Sequence, residues 1–160
     1  MADERQLPDA AATEALGAAL ARALGPEGAV VYLQGELGAG KTTLVRGFLR
    51  ALGYTGSVRS PTYTLLEPYL VEGRRVYHLD LYRIAEPAEL EFLGVRELGE
   101  RGDVCLIEWA ERGAGALPPA DLVLELAHAG PVRRLRWQAH SEAGRRLAGA
   151  ACVPVLAESS

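Results

Sequence analysis

Leu16, Leu20 and Leu24 recur on one stripe of the stretch from Asp9 to Leu24. That spacing predicts an amphipathic helix with Asp9 as its N-cap and Gly25-Pro26 as its end. Val30-Val31-Tyr32-Leu33 is a short unbroken apolar run, the pattern of a buried parallel strand, and Val104-Cys105-Leu106-Ile107 is a second. After the first run, Leu44, Val45, Phe48, Leu49 and Leu52 return at helical spacing until Gly53. The stretch Ser57 to Leu66 is rich in β-formers, and Arg75 to Tyr82 reads as a strand joined to it across a turn containing Glu72-Gly73. Pro87 fits the first turn of a short acidic helix, Ala88 to Leu93, stopped by Gly94. Asp121 to Ala127 and Arg133 to His140 alternate apolar and polar positions around His128-Ala129-Gly130-Pro131, which predicts a hairpin with one exposed face. No internal repeat is present, and only about the first six residues and a tail from about residue 150 read as loose.

These elements predict a single α/β domain over residues 1–160, with a mainly parallel central sheet around the Val30 and Val104 strands and helices flanking it. Antiparallel strands from residues 57 to 82 and 121 to 140 extend the sheet in this reading; the order of strands is not legible in the sequence. A chain of 160 residues can bury a core without metal or disulfide support. Its net charge of −4 argues against holding nucleic acid by a broad basic surface, so RNA is expected to be reached through a partner. Met1 to Ala10 carries acids and no apolar core, unlike a secretory signal, and no uncharged run approaches membrane-crossing length. The expected location is the cytoplasm. Cys105 and Cys152 have no disulfide-framework or zinc-site spacing and read as buried or idle thiols.

Composition changes the picture at one position. The chain has a single lysine, Lys41, and every other basic residue apart from histidine is arginine. Lys41 stands in Gly35-Glu36-Leu37-Gly38-Ala39-Gly40-Lys41-Thr42, which fits the phosphate-loop (Walker A) pattern G-x-x-x-x-G-K-[ST]. Multiplying residue frequencies over the available windows gives an accidental match roughly one chance in a thousand. Strand, glycine loop and helix follow in the order that aims a helix N-terminus and backbone N–H groups at an anion, which specifies the fold class as a P-loop NTPase domain. A compact ammonium can thread between β- and γ-phosphates where the wide guanidinium fork cannot. An ordinary glycine-rich strand-to-helix turn is the competing explanation.

A phosphate loop works with a divalent cation, and the cation needs oxygen ligands. Thr42 offers a hydroxyl directly after the lysine, and Glu108 offers a carboxylate at the end of the Val104 run, which makes this pair the expected Mg²⁺ site. A solvated strand-end charge would also explain Glu108. Asp80, in His78-Leu79-Asp80-Leu81-Tyr82-Arg83, is a second strand-end acid that could hold a metal-bound water or orient an attacking water; a helix cap or a salt bridge to Arg83 is the alternative. His78 lies on the same side of the strand as Asp80, and as a lone histidine it reads as structural. Ser60-Pro61-Thr62-Tyr63 is a polar, turned segment suited to sensing a γ-phosphate or simply to leading into a strand. Trp109 reads as a packing or docking residue. Arg133, Arg134 and Arg136 form a basic cluster that could reach the nucleotide or a partner, and an exposed hairpin face explains it equally well. The Asn-Lys-x-Asp element that reads guanine needs a second lysine, so ATP is the expected nucleotide.

Leu7-Pro8-Asp9, Thr13-x-x-Leu16-Gly17, Gly35 to Thr43, Ser60-Pro61-Thr62-Tyr63-Thr64-Leu65, Tyr77-His78-Leu79-Asp80-Leu81-Tyr82-Arg83, Glu91-Phe92-Leu93-Gly94 and Ile107-Glu108-Trp109 together resemble the landmarks, in order, of the TsaE/YjeE family. Those are bacterial ATPases of tRNA threonylcarbamoyladenosine biosynthesis. The resemblance covers nearly the whole chain. It implies an accessory ATPase that works with the TsaD–TsaB transferase complex on the adenosine next to the anticodon, with tRNA contacted only indirectly. It also implies ATP held by Gly38, Ala39, Gly40, Lys41, Thr42 and Thr43, with Thr13 near the adenine. Mg²⁺ falls to Thr42 and Glu108, and hydrolysis to Lys41, Glu108 and Asp80. Two departures stand out: Ala110 follows Trp109 where relatives often carry proline, and the last ten or so residues match no motif. A small-molecule kinase built on the same loop, or a nucleotide-gated binding module without useful hydrolysis, are the competing functions.

Overall fold

The computed structural model describes residues 4–36, 38–98 and 102–152. Leu37 of the glycine loop, the tail beyond residue 152 and the Cys152 side chain, for which an idle thiol was expected, lie outside the described residues.

In chain order the elements are β1 (Glu4–Leu7), α1 (Ala10–Arg22), β2 (Ala29–Gln34), α2 (Lys41–Leu52), β3 (Leu66–Val71), β4 (Arg74–Asp80), α3 (Ala88–Phe92), β5 (Val104–Glu108), β6 (Leu122–Ala129), β7 (Val132–Ala139) and α4 (Glu142–Cys152). Short 3-10 turns lie at Val95–Glu97 and Ala110–Gly113. The strands form one mixed sheet in the order β1-β7-β6-β2-β5-β4-β3. Among the described residues, no helix is long and apolar enough to cross a membrane.

Local chemistry sets the element ends. The Asp9 side chain accepts a hydrogen bond from the Ala12 N–H and caps α1. Gly53 closes α2 with φ at 111°, a left-handed conformation that costs a residue with Cβ dearly. β2 and β5 read as unbroken apolar runs because both of their faces are covered. Val31 and Leu33 point into the core under α1, α2 and α4, with Leu16, Leu44, Phe48 and Leu124. Val30, Cys105 and Ile107 point the other way, against Leu79, Leu81, Ile84 and Leu90.

The sheet corrects the expected architecture in several places. β4 pairs parallel with β5 and β6 pairs parallel with β2, so the parallel core has four strands, and only β3, β7 and β1 add antiparallel edges. Strand direction depends on the crossovers that join neighbours, which an alternation pattern does not record. The strand expected from Ser57 to Leu66 begins only at Leu66, because Pro61–Thr64 turn back on themselves and the Leu65 N–H donates to Pro61 O at 2.8 Å. Glu4–Leu7, expected to be loose, is held as a strand by β7, and Glu142–Cys152 forms a helix that the sequence reading did not assign.

α1 and α2 pack closely because a glycine faces the partner helix on each side. A Cβ at Gly17 would lie 2.0 Å from Leu44 O, and one at Gly47 would lie 2.0 Å from Glu14 O. This contact fixes α1 against the helix that begins at Lys41.

Candidate functional site

The loop from Gly35 to Gly40 joins β2 to α2 and lies at the C-terminal edge of the parallel strands, where ligands of open α/β sheets bind. Gly35 has φ at 145°, and a Cβ there would sit 2.4 Å from Leu126 O on β6, so β6 presses directly on the loop. Gly40 occupies the N-cap of α2 with φ at 112° and offers no side-chain cap. The first N–H groups of α2 therefore lack both intrahelical acceptors and a capping oxygen, which leaves a donor-rich, electropositive terminus. Gly38 has φ at 80° with open space where a Cβ would point, while Ala39 is fully buried beneath the loop.

Lys41, the first residue of α2, folds its side chain back over this loop. Its Nζ donates to Gly35 O at 2.5 Å, lies 3.5 Å from Glu108 Oε1, and sits 5.3 Å from the centre of the Trp109 ring. Asp80 and Glu108 end β4 and β5 and are direct partners across that parallel pair. Asp80 Oδ1 accepts the Tyr82 N–H at 3.0 Å inside a turn and not at the helix end expected of a cap, while Oδ2 is 3.5 Å from Thr62 Oγ1. Arg83 packs over the exposed Tyr63 ring, with its guanidinium carbon 4.6 Å from the centroid. The Ser60–Tyr63 segment is thus set beside Asp80, and Ser60 Oγ lies 2.7 Å from Thr62 Oγ1. Trp109, turned by a left-handed backbone with φ at 59°, packs its ring at a tilt of 55° against Tyr82, with centroids 4.9 Å apart.

On the other side of the loop a cavity of about 240 Å³ opens between Pro8, Asp9, Thr13, Gly38, Gly40, Thr43, Pro131 and Arg133. Thr13 reaches it because α1 packs on α2: a Cβ on Gly40 would meet Thr13 Cγ2 at 3.4 Å. The three arginines of β7 separate. Arg133 reaches Gly38 O at 3.4 Å, whereas Arg134 and Arg136 pair with Glu4 on β1 at 3.8 and 3.3 Å. A larger open groove of about 470 Å³, bordered by Glu4, Gln34, Glu125, Arg136 and Gln138, lies on the uncovered sheet face.

The structure therefore brings the sequence-derived residues together as two neighbouring groups, Lys41, Asp80 and Glu108 on one side of the loop and Thr13, Thr43 and Arg133 on the other. His78, placed on the Asp80 face of its strand from sequence, reads there as structural only. Its Nε2 is 2.6 Å from Glu108 Oε2, a contact across residues 30 apart in sequence. The signal available was its two-residue spacing from Asp80, which puts both on one strand face.

Fold and site define a class: an α/β domain whose strand, glycine loop and helix gather buried charge at the C-terminal edge of a parallel sheet. Residues 7–135 match the family model described as threonylcarbamoyl adenosine biosynthesis protein TsaE. The chain belongs to the TsaE family. It is 47% identical over 121 residues to the tRNA threonylcarbamoyladenosine biosynthesis protein TsaE of Haemophilus influenzae, which covers 76% of this chain and 77% of the relative. It is 40% identical over 117 residues to the protein of that name from Bacillus subtilis, covering 73% of each. The crystal structure of Bacillus subtilis YdiB superposes with a TM-score of 0.76 at 28% identity, over 98% of this chain and 95% of that one.

Proposed function

We propose that this chain is a P-loop ATPase that acts in threonylcarbamoyladenosine modification of tRNA, as the names of its relatives state for them, and that it serves the TsaD–TsaB transferase complex in the cytoplasm. One observation carries the nucleotide reading. Among the described residues, the buried polar and charged side chains are Thr13, Lys41, His78, Asp80 and Glu108; Thr13, Lys41 and Glu108 lie at the glycine loop or its lysine, His78 holds Glu108, and Asp80 is the register partner of Glu108 on the neighbouring strand. Burying charge is costly unless a ligand or partner compensates it, so its concentration here, away from the rest of the core, is the mark of a site.

In this reading the Gly38–Thr43 segment donates backbone N–H groups to the phosphates, Lys41 leaves Gly35 O for a phosphate oxygen, and the cavity beside Thr13 and Arg133 takes the base. Thr42 and Glu108 would hold Mg²⁺. The donor set fits: the buried Glu108 carboxylate faces Lys41 at 3.5 Å and the buried Asp80 ends the neighbouring strand in register with it, so oxygen ligands for a cation lie at one strand edge. No group of three or more His, Cys, Asp or Glu side chains forms a metal cage among the described residues, and Mg²⁺ held by one or two carboxylates together with phosphates needs none. When bound, the ion would neutralise charge developing on the phosphates. Asp80, next to the Thr62 turn, would orient the attacking water.

Phosphate release from ATP, measured with and without the TsaD–TsaB complex, tests the proposal. Among the described residues, Arg83 and Arg112 are engaged over aromatic rings and Arg133 lies on the base side of the loop, so turnover should be weak alone and rise with the complex. Unchanged turnover with binding to the complex demonstrated separately would overturn it.

A further inference from the structure

His78 is fully buried in β4, on the sheet face that it shares with Val76, Asp80, Leu106 and Glu108 beneath α2. Among the described residues, its Nδ1 is buried without a hydrogen-bond partner. An imidazole in that state costs stability, and an apolar side chain of similar size would fill the same space without the penalty. Packing therefore does not account for the ring. Its one polar contact does: Nε2 lies 2.6 Å from Glu108 Oε2. A carboxylate only accepts, so Nε2 carries the shared proton, and a short bond to a charged acceptor is among the stronger kinds. That bond fixes the rotation of the Glu108 carboxylate and leaves Oε1 facing Lys41 at 3.5 Å.

We infer that His78 is a positioning residue for the magnesium–nucleotide site: by holding Oε2 of Glu108 it keeps Oε1 turned toward the glycine loop. The inference rests on the reading of Glu108 as the acid of that site. Partners that orient a metal-binding carboxylate commonly cost ten- to a hundredfold in metal affinity when removed, on the order of what is expected here.

The test is equilibrium binding of N-methylanthraniloyl-ATP, read by fluorescence anisotropy as Mg²⁺ is titrated. His78→Leu should raise the Mg²⁺ needed for half-maximal binding by roughly tenfold or more, with affinity in the absence of Mg²⁺ unchanged. His78→Gln, whose amide N–H reaches about where Nε2 sits, should restore the wild-type dependence, and the shorter His78→Asn should not. In a Glu108→Gln background His78→Leu should add nothing further. A wild-type Mg²⁺ dependence in His78→Leu, or the same shift in both backgrounds, overturns the inference. If circular dichroism shows His78→Leu unfolded, equal Mg²⁺ dependence of the Gln and Asn variants overturns it instead. Mg²⁺-independent binding by the wild type, or no effect of Glu108→Gln alone, overturns the reading of Glu108 and the inference with it, and either is visible before any His78 variant is compared.

Discussion

Lys41 is held on three sides, by Gly35 O, the Glu108 carboxylate and the Trp109 ring, in a space that leaves it 6% exposed. An arginine keeps the charge but cannot fit a planar fork into that space or between two phosphates. Lys41→Arg should therefore lower ATP binding or turnover by about a hundredfold or more, the scale of losing one preorganised charge contact to a reacting group; isothermal titration with ATP checks it. Cys105 shows the opposite kind of burial. Desolvation in β5 pushes its thiol from the ordinary value of 9.0 up to about 12, with the Asp103 charge adding to the effect. In a Cys152→Ser chain it should stay unreacted with a thiol-disulfide reagent at pH 8 and react fully once urea unfolds the protein. Between pH 9.0 and about 12 the unfolded chain loses this proton and the folded one keeps it, so the contribution of this group to stability falls as pH rises.

The contact of α1 with α2 is the joint on which the site depends, because α1 carries Thr13 and α2 begins at Lys41. In an ordinary helix interior, alanine is preferred over glycine by about 1 kcal/mol. At Gly17 the sign should reverse. The added Cβ would be 2.0 Å from Leu44 O and 2.9 Å from Phe48 N, backbone atoms that yield only if the helices part. Gly17→Ala should destabilise by about 1–3 kcal/mol, measured by urea unfolding, and should widen the gap between Thr13 and Gly40. A stabilised Gly17→Ala protein would show that the close approach does not constrain the fold.

Across the whole molecule, the cavity proposed for the base is built from three distant stretches: the start of α1, the glycine loop and the β6–β7 turn with Pro131 and Arg133. No lysine remains to read guanine by the usual element, so ATP should raise the unfolding temperature more than GTP at equal concentration. A tenfold preference corresponds to ~1.4 kcal/mol, or about 3–5 °C for a domain of this size. Scanning calorimetry with each nucleotide decides it, and equal protection would mean that the cavity does not select the base.

The glycine loop, Asp9 as a cap, Gly53 as a stop, and the acids Asp80 and Glu108 at strand ends were legible because each is a local matter: a turn, a capped helix end or an apolar run with its period. Thr13 could be suggested as a neighbour of the nucleotide only from resemblance, and Arg133 only as one of a basic cluster that an exposed hairpin face explained equally well. Their meeting across one cavity depends on the glycine contact of α1 with α2 and on the β7 register. The pairing of Glu4–Leu7 with β7 escaped the sequence because four residues carry too little periodicity, and what orders them is a hydrogen-bonding edge supplied by a strand more than 120 residues later. The directions of β4 and β6 and the bond from His78 to Glu108 escaped it for the same reason. The amino-acid sequence determined which chemistry the chain carries and which segments become strands and helices, since propensity and patterning act over a few residues. Which of those side chains face one another was decided by parallel pairing and helix packing, whose energies are realised only when segments far apart in the chain come together.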